Sequence, residues 1–122
     1  MSLLRFLSVL FLALTTQSTV AAETEPEEVR QLRWVQQANP ITDAEAAVER
    51  KNFVLLGVRG YTWTVPGTEE SKKFEYREKY GVKLLEGTGD VILGPEHGHL
   101  IKLATEYAKK YNQYVLSHAN QK

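Results

Sequence analysis

Residues 41–122 predict a small α/β domain of helix–strand–helix–strand–helix order around a two- or three-stranded, mainly parallel sheet. Three observations carry this. Phe53 to Leu56, continued by Gly57 and Val58, is a short apolar run bounded by polar residues, the pattern of a buried strand. Val82-Lys83-Leu84-Leu85 is a second short run, separated from the first by a helical segment. From Leu100 onward, Leu103, Ala104, Tyr107, Ala108, Tyr111 and Val115 recur at intervals of three and four, the stripe of an amphipathic helix. A strand–helix–strand connection within one sheet is normally parallel and right-handed.

The elements follow in order. Glu23, Glu25, Glu27 and Glu28 around Pro26 read as a solvated arm over residues 23–40, which Leu32, Trp34 and Val35 can dock onto the domain. Asn39-Pro40 reads as a break. Thr42-Asp43-Ala44-Glu45 has capping-box spacing, and Ala44, Ala46, Ala47 and Val48 carry a helix from there to about Lys51. After the first strand and Arg59-Gly60, Tyr61-Thr62-Trp63-Thr64-Val65 alternates with the period of a half-exposed strand. It returns as a hairpin or runs as an ordered loop, because Arg59-Gly60 lacks the Asn-Gly chemistry of two-residue hairpins.

Pro66-Gly67 stops that stretch, and Thr68 is positioned to cap a second helix from Glu69 to Tyr80. Glu69/Lys73 and Glu75/Lys79 are opposite charges four apart on its solvated face, with Phe74, Tyr76 and Tyr80 as its buried side. Gly81 suits a left-handed C-terminal cap. The second strand ends at Glu86-Gly87-Thr88-Gly89-Asp90, and Gly94-Pro95 opens the last helix, which reaches about Leu116.

At 122 residues the chain has room for one domain, and Trp34, Trp63 and six tyrosines make it too aromatic for a disordered one. Arg5, the apolar run Phe6 to Leu14 and the small residues Val20-Ala21-Ala22 have the layout of a signal peptide over residues 1–22, cleaved after Ala22. That run is shorter than the ~20 residues needed to span a bilayer. The expectation is a protein of the periplasm or one secreted beyond it, with no stable membrane insertion after cleavage.

Arg5 is the leader's only charged side chain, so the remainder carries one net negative charge from its 15 acidic and 14 basic residues. That balance, without clustered Lys and Arg, argues against nucleic acid as a partner. The absence of cysteine excludes disulfides, thiolate metal sites and thiol nucleophiles.

Ligands of open parallel sheets bind beyond the carboxyl ends of the strands. Arg59, Gly60 and Tyr61 follow the first strand; Thr88 and Asp90 follow the second, close to the free amides of the final helix, which favour an anion. Guanidinium and aromatic side chains dominate binding interfaces, so Arg59, Tyr61 and Trp63 join Thr88, Asp90 and His97 as the candidate site. The expected partner is a protein or a small anionic ligand, and the expected function is that of a non-enzymatic interaction module.

The alternative is a small hydrolase or metal-dependent enzyme in which Asp90 orients His97 as a general base. No nucleophile elbow accompanies them, so no catalytic residue is assigned beyond that pair. No cofactor is expected, since a dinucleotide fingerprint starting at Gly87 would need its third glycine where Ile92 stands. No metal site is expected either, because His97 and His99 diverge by ~200° on a helix. The tyrosines Tyr107, Tyr111 and Tyr114 read as core. A sheet of two or three strands leaves unpaired edges, which makes a homodimer one way to cover them.

Overall fold

Asn39-Pro40, which reads in sequence as a break, starts a helix in the computed structural model, which describes residues 26–59, 64–88 and 94–120. The leader, Glu23, Glu25, Tyr61, Trp63 and Asp90 lie outside the described residues. Where an acidic arm was expected, Glu27 and Glu28 open helix α1 (Glu27–Leu32), which continues as a 3-10 turn (Arg33–Gln36). Two carboxylates in a first turn complement the helix dipole, and Val29, Leu32 and Val35 recur at three-residue spacing to give that segment a buried stripe.

Helix α2 (Pro40–Glu49) starts two residues before the Thr42 expected as its cap. Asn39 is the stronger start: its Oδ1 accepts from the amides of Ile41 and Thr42 at 3.0 and 3.2 Å, and Pro40 suits the first helical position. Ala44 and Ala47 face inward against the last helix, α4 (Pro95–Ala119).

Strand β1 (Leu55–Gly57) and strand β2 (Val82–Leu84) pair in parallel, with Leu55 opposite Val82 and Gly57 opposite Leu84. This is the mixed α/β architecture and strand direction expected from the sequence. Val58 bridges Thr64 in antiparallel fashion, so the chain does return beside β1, by a single bridge at the described end of that stretch.

Between the strands, residues Glu70–Lys72 form a 3-10 turn and helix α3 runs only from Lys73 to Tyr80. Thr68 does not cap it; its hydroxyl donates to the carbonyl of Val65 at 2.6 Å. Lys73 pairs with Glu70. Tyr76 and Tyr80, one turn apart, pack against the core, whereas Phe74 is 72% exposed. The reason is phase: Phe74 lies ~200° round the helix from Tyr76, so both cannot face the core. Gly81 has positive φ, as expected, but with ψ near 162° it is extended rather than left-handed helical.

Helix α4 carries Leu100, Ala104, Tyr107, Ala108, Tyr111, Val115 and Leu116 into the core, nearly the stripe read from the sequence. Its stripe also contains Asn112, which is wholly buried. Adjacent residues of a strand direct their backbone groups to opposite edges, so Leu56 turns its N–H and C=O away from β2. Asn112 meets both: its Oδ1 accepts from Leu56 N at 2.8 Å, and its Nδ2 donates to Leu56 O at 2.8 Å and to Pro66 O at 2.9 Å. A side-chain amide from α4 thus takes the place of a third strand at Leu56 on that edge of the sheet.

Among the described residues no helix is long and apolar enough to cross a membrane.

Candidate functional site

The two strand ends do come together. The hydroxyl of Thr88 accepts from the amide of Arg59 at 3.2 Å and donates to the carbonyl of Leu85. Thr88 and His97 are both buried, at 3% and 4% exposure. Gly87 and the imidazole of His97 are joined by a 3.0 Å hydrogen bond, and since a carbonyl can only accept, Nε2 of His97 carries the proton. Helical spacing turns His97 inward and leaves His99 exposed.

This contact is a junction of three elements. Gly87 has φ +87°, and a Cβ there would stand 2.6 Å from the carbonyl oxygen of Glu28 and 3.1 Å from Cβ of Leu32. The turn after β2 is therefore clasped between α1 and the start of α4. Arg33, in the 3-10 turn that continues α1, and Glu96, in the first turn of α4, add an ion pair that is largely exposed and so of small energetic weight. The polar atoms that Thr88 and His97 direct into this junction are engaged within the fold, while the Arg59 side chain is exposed. Among the described residues no three His, Asp or Glu side chains converge as a metal set.

A cleft lies elsewhere, between the 3-10 turn, α2, β2 and α4, with a volume of about 340 Å³. Asp43, Ala46 and Arg50 supply one wall, at the i, i+3, i+7 spacing that puts residues on one face of a helix. Trp34, Tyr107 and Tyr111 supply an aromatic wall, Leu56 and Lys83 come from the sheet, and Leu85 follows β2 directly. Trp34 meets Tyr107 edge-on, with ring centroids 4.9 Å apart and planes at 87°; Tyr107 and Tyr111 stack at 6.1 Å and 26°. Both tyrosines are core residues, as the sequence suggested, with part of each ring left to the cleft.

No family model, curated protein or solved structure matches this chain. The cleft is therefore interpreted from its own chemistry.

The Tyr107 hydroxyl donates to Oδ2 of Asp43 at 2.6 Å. Burial, reinforced by that bond and by the Asp43 charge, holds the Tyr107 phenol well above its ordinary pKa of 10.0. Burial and Asp43 raise Tyr111 as well, with Arg50 acting in the opposite sense. Both phenols are neutral donors at physiological pH. Arg50 donates from Nε to the carbonyl of Ala46 at 3.3 Å, which folds its side chain back along α2. Among the described residues neither Arg50 nor Lys83 has an ion-pair partner, and Oδ1 of Asp43 accepts no hydrogen bond.

The sequence reading missed this cleft. Asp43, Ala46 and Arg50 are recognisable as one helical face, but Trp34 and Lys83 reach it from elements remote in sequence. Tyr107 and Tyr111 satisfy a core pattern and leave no separate signal.

Proposed function

We propose that the protein is an exported, non-enzymatic binding module that holds a small molecule in the cleft walled by Trp34, Tyr107 and Tyr111. One observation carries this reading: an aromatic recess of about 340 Å³ whose rim presents two cations without ion-pair partners among the described residues. That volume falls at the small end of ligand sites, and the mixture of apolar walls with a few fixed polar groups is what such sites share. The cleft is preferred over the rim of Arg59, Thr88 and His97 because the latter two use polar groups to join α1, α4 and the turn after β2. The catalytic alternative with Asp90 and His97 receives no support from His97, whose ring is buried and bonded to Gly87.

Export rests on Arg5, the apolar run and Val20-Ala21-Ala22. Cleavage after Ala22 leaves every core residue among the described ones, the first being Val29, in the product.

The test joins compartment and binding. Mass spectrometry of protein expressed from the full gene in a bacterial host should give a chain beginning at Glu23 in the envelope fraction; an intact Met1 would refute export. Saturation-transfer NMR with a library of small ring compounds should yield binders that Trp34→Ala abolishes. Binding that is indifferent to Trp34→Ala would put the ligand elsewhere.

A further inference from the structure

From the polar groups of the cleft we infer the class of its ligand: a hydroxylated six-membered ring bearing a carboxylate, the chemistry of a sugar acid. The inference rests on the cleft being a binding site, and it follows from how three kinds of group are distributed there.

Asp43 and Arg50 lie two helical turns apart, roughly 10 Å along α2 at 1.5 Å per residue. Between them on the same face is Ala46, whose small side chain leaves the floor open. Arg50 is folded back toward Ala46, which brings its guanidinium nearer to Asp43 than the helical rise alone would place it. Oδ2 of Asp43 is occupied by Tyr107, so the carboxylate is fixed in orientation with Oδ1 left to accept. An acceptor held in this way selects a ligand that brings a hydroxyl donor.

Arg50 and Lys83 approach from different elements, the end of α2 and β2, and both are exposed cations without a carboxylate partner among the described residues. Against the single Asp43 they leave the cleft with an excess of one positive charge, which selects an anion. A guanidinium matches a carboxylate in bidentate geometry. Trp34, 39% exposed and lining the cleft, offers apolar indole surface to a ligand, and the C–H side of a pyranose ring is an apolar surface that fits it. A neutral aromatic hydrocarbon would leave Oδ1 of Asp43 and both cations unused. A simple carboxylate such as acetate would leave the aromatic wall unused.

The experiment uses isothermal titration and saturation-transfer NMR on the cleaved protein, with glucuronate, glucuronate methyl ester, glucose and benzoate as probes. Glucuronate should bind at least about tenfold more tightly than its methyl ester or glucose, the ratio expected for loss of one charge-assisted contact. Arg50→Gln and Lys83→Gln, both at exposed positions and checked for fold by circular dichroism, should bring glucuronate down to the level of the ester. Asp43→Asn should weaken glucuronate relative to benzoate, since only glucuronate brings a hydroxyl for Oδ1 and both anions lose the same repulsion.

Equal binding of glucuronate and its ester, or preference for benzoate over glucuronate, overturns the assignment of ligand class while leaving the cleft as a binding site. If none of the four probes binds and the ring library of the preceding test also gives nothing that depends on Trp34, the binding function itself fails.

Discussion

Replacing Asn112 by Ala removes three hydrogen bonds from one of the most buried points of the molecule. Two of the abandoned groups, the N–H and C=O of Leu56, belong to a buried strand whose far edge has no other partner at that residue among the described residues. The third, the carbonyl of Pro66, is half-buried and within reach of water. Each orphaned buried group costs about 1–3 kcal/mol. Counting the two at Leu56 and adding the small cavity left by the amide, the expected loss is about 3 kcal/mol or more, a large share of the ~5–15 kcal/mol that small domains possess.

Urea denaturation followed by circular dichroism measures this loss, with an unchanged denaturant slope showing that the midpoint shift is a stability change. In a domain of this size the melting temperature should fall by on the order of 15 °C. Asn112→Asp sharpens the test. A carboxylate keeps an acceptor for Leu56 N but turns an oxygen toward two carbonyls, and protonation restores one donor. The N112D variant should therefore be less stable at pH 7 than at pH 4.5, relative to the parent at each pH. A loss under about 1 kcal/mol for Asn112→Ala would refute the idea that this side chain completes the sheet.

Two further outcomes follow from the packing. Gly87→Ala places a Cβ against the Glu28 carbonyl at positive φ and should cost about 2 kcal/mol or more, with α1 released first; limited proteolysis should cut at Arg30 or Arg33 before the core unfolds, and a parent-like cleavage pattern would contradict the clasp. Tyr107 and Tyr111 bind their protons more tightly folded than unfolded, so their contribution is fully present below pH 10.0 and is lost as pH rises above it; absorbance at 295 nm should show a late-titrating phase from these two phenols, and Tyr107→Phe should reduce that phase and flatten the alkaline decline in stability.

The strands and the long helix were legible because their signals are local. The apolar run that ends at Val58 marks a buried strand, although Phe53 and Val54 are half-buried and precede it, and the spacing from Leu100 to Val115 defines one face of a helix whatever it packs against. Start signals were less secure, since Asn39, Thr42 and Thr68 are all residues that can cap. The choice of Asn39 depended on Pro40 beside it, and Thr68 lost its role when its hydroxyl found the Val65 carbonyl. The acidic start misled for a related reason: charge suggested solvent, while the spacing of Val29, Leu32 and Val35 held the stronger signal of burial. Phe74 shows the same limit in reverse, an apolar side chain whose phase on α3 leaves it outside.

Sequence by itself determined the α/β class, the parallel direction of the two strands and the apolar stripe of α4, all of which follow from hydrophobic period and chain connectivity. Tertiary structure alone decided what a polar residue within that stripe was for. Asn112 reads as an interruption until the edge of β1 is set beside it, because a hydrogen bond between residues 56 positions apart leaves no periodic trace. The cleft arose in the same way: Trp34, Asp43, Arg50, Lys83 and Tyr107 each have an ordinary local explanation, and only the docking of their elements brings them to one recess. Burial is a property each residue expresses through its neighbours in sequence, whereas convergence depends on distances that folding creates.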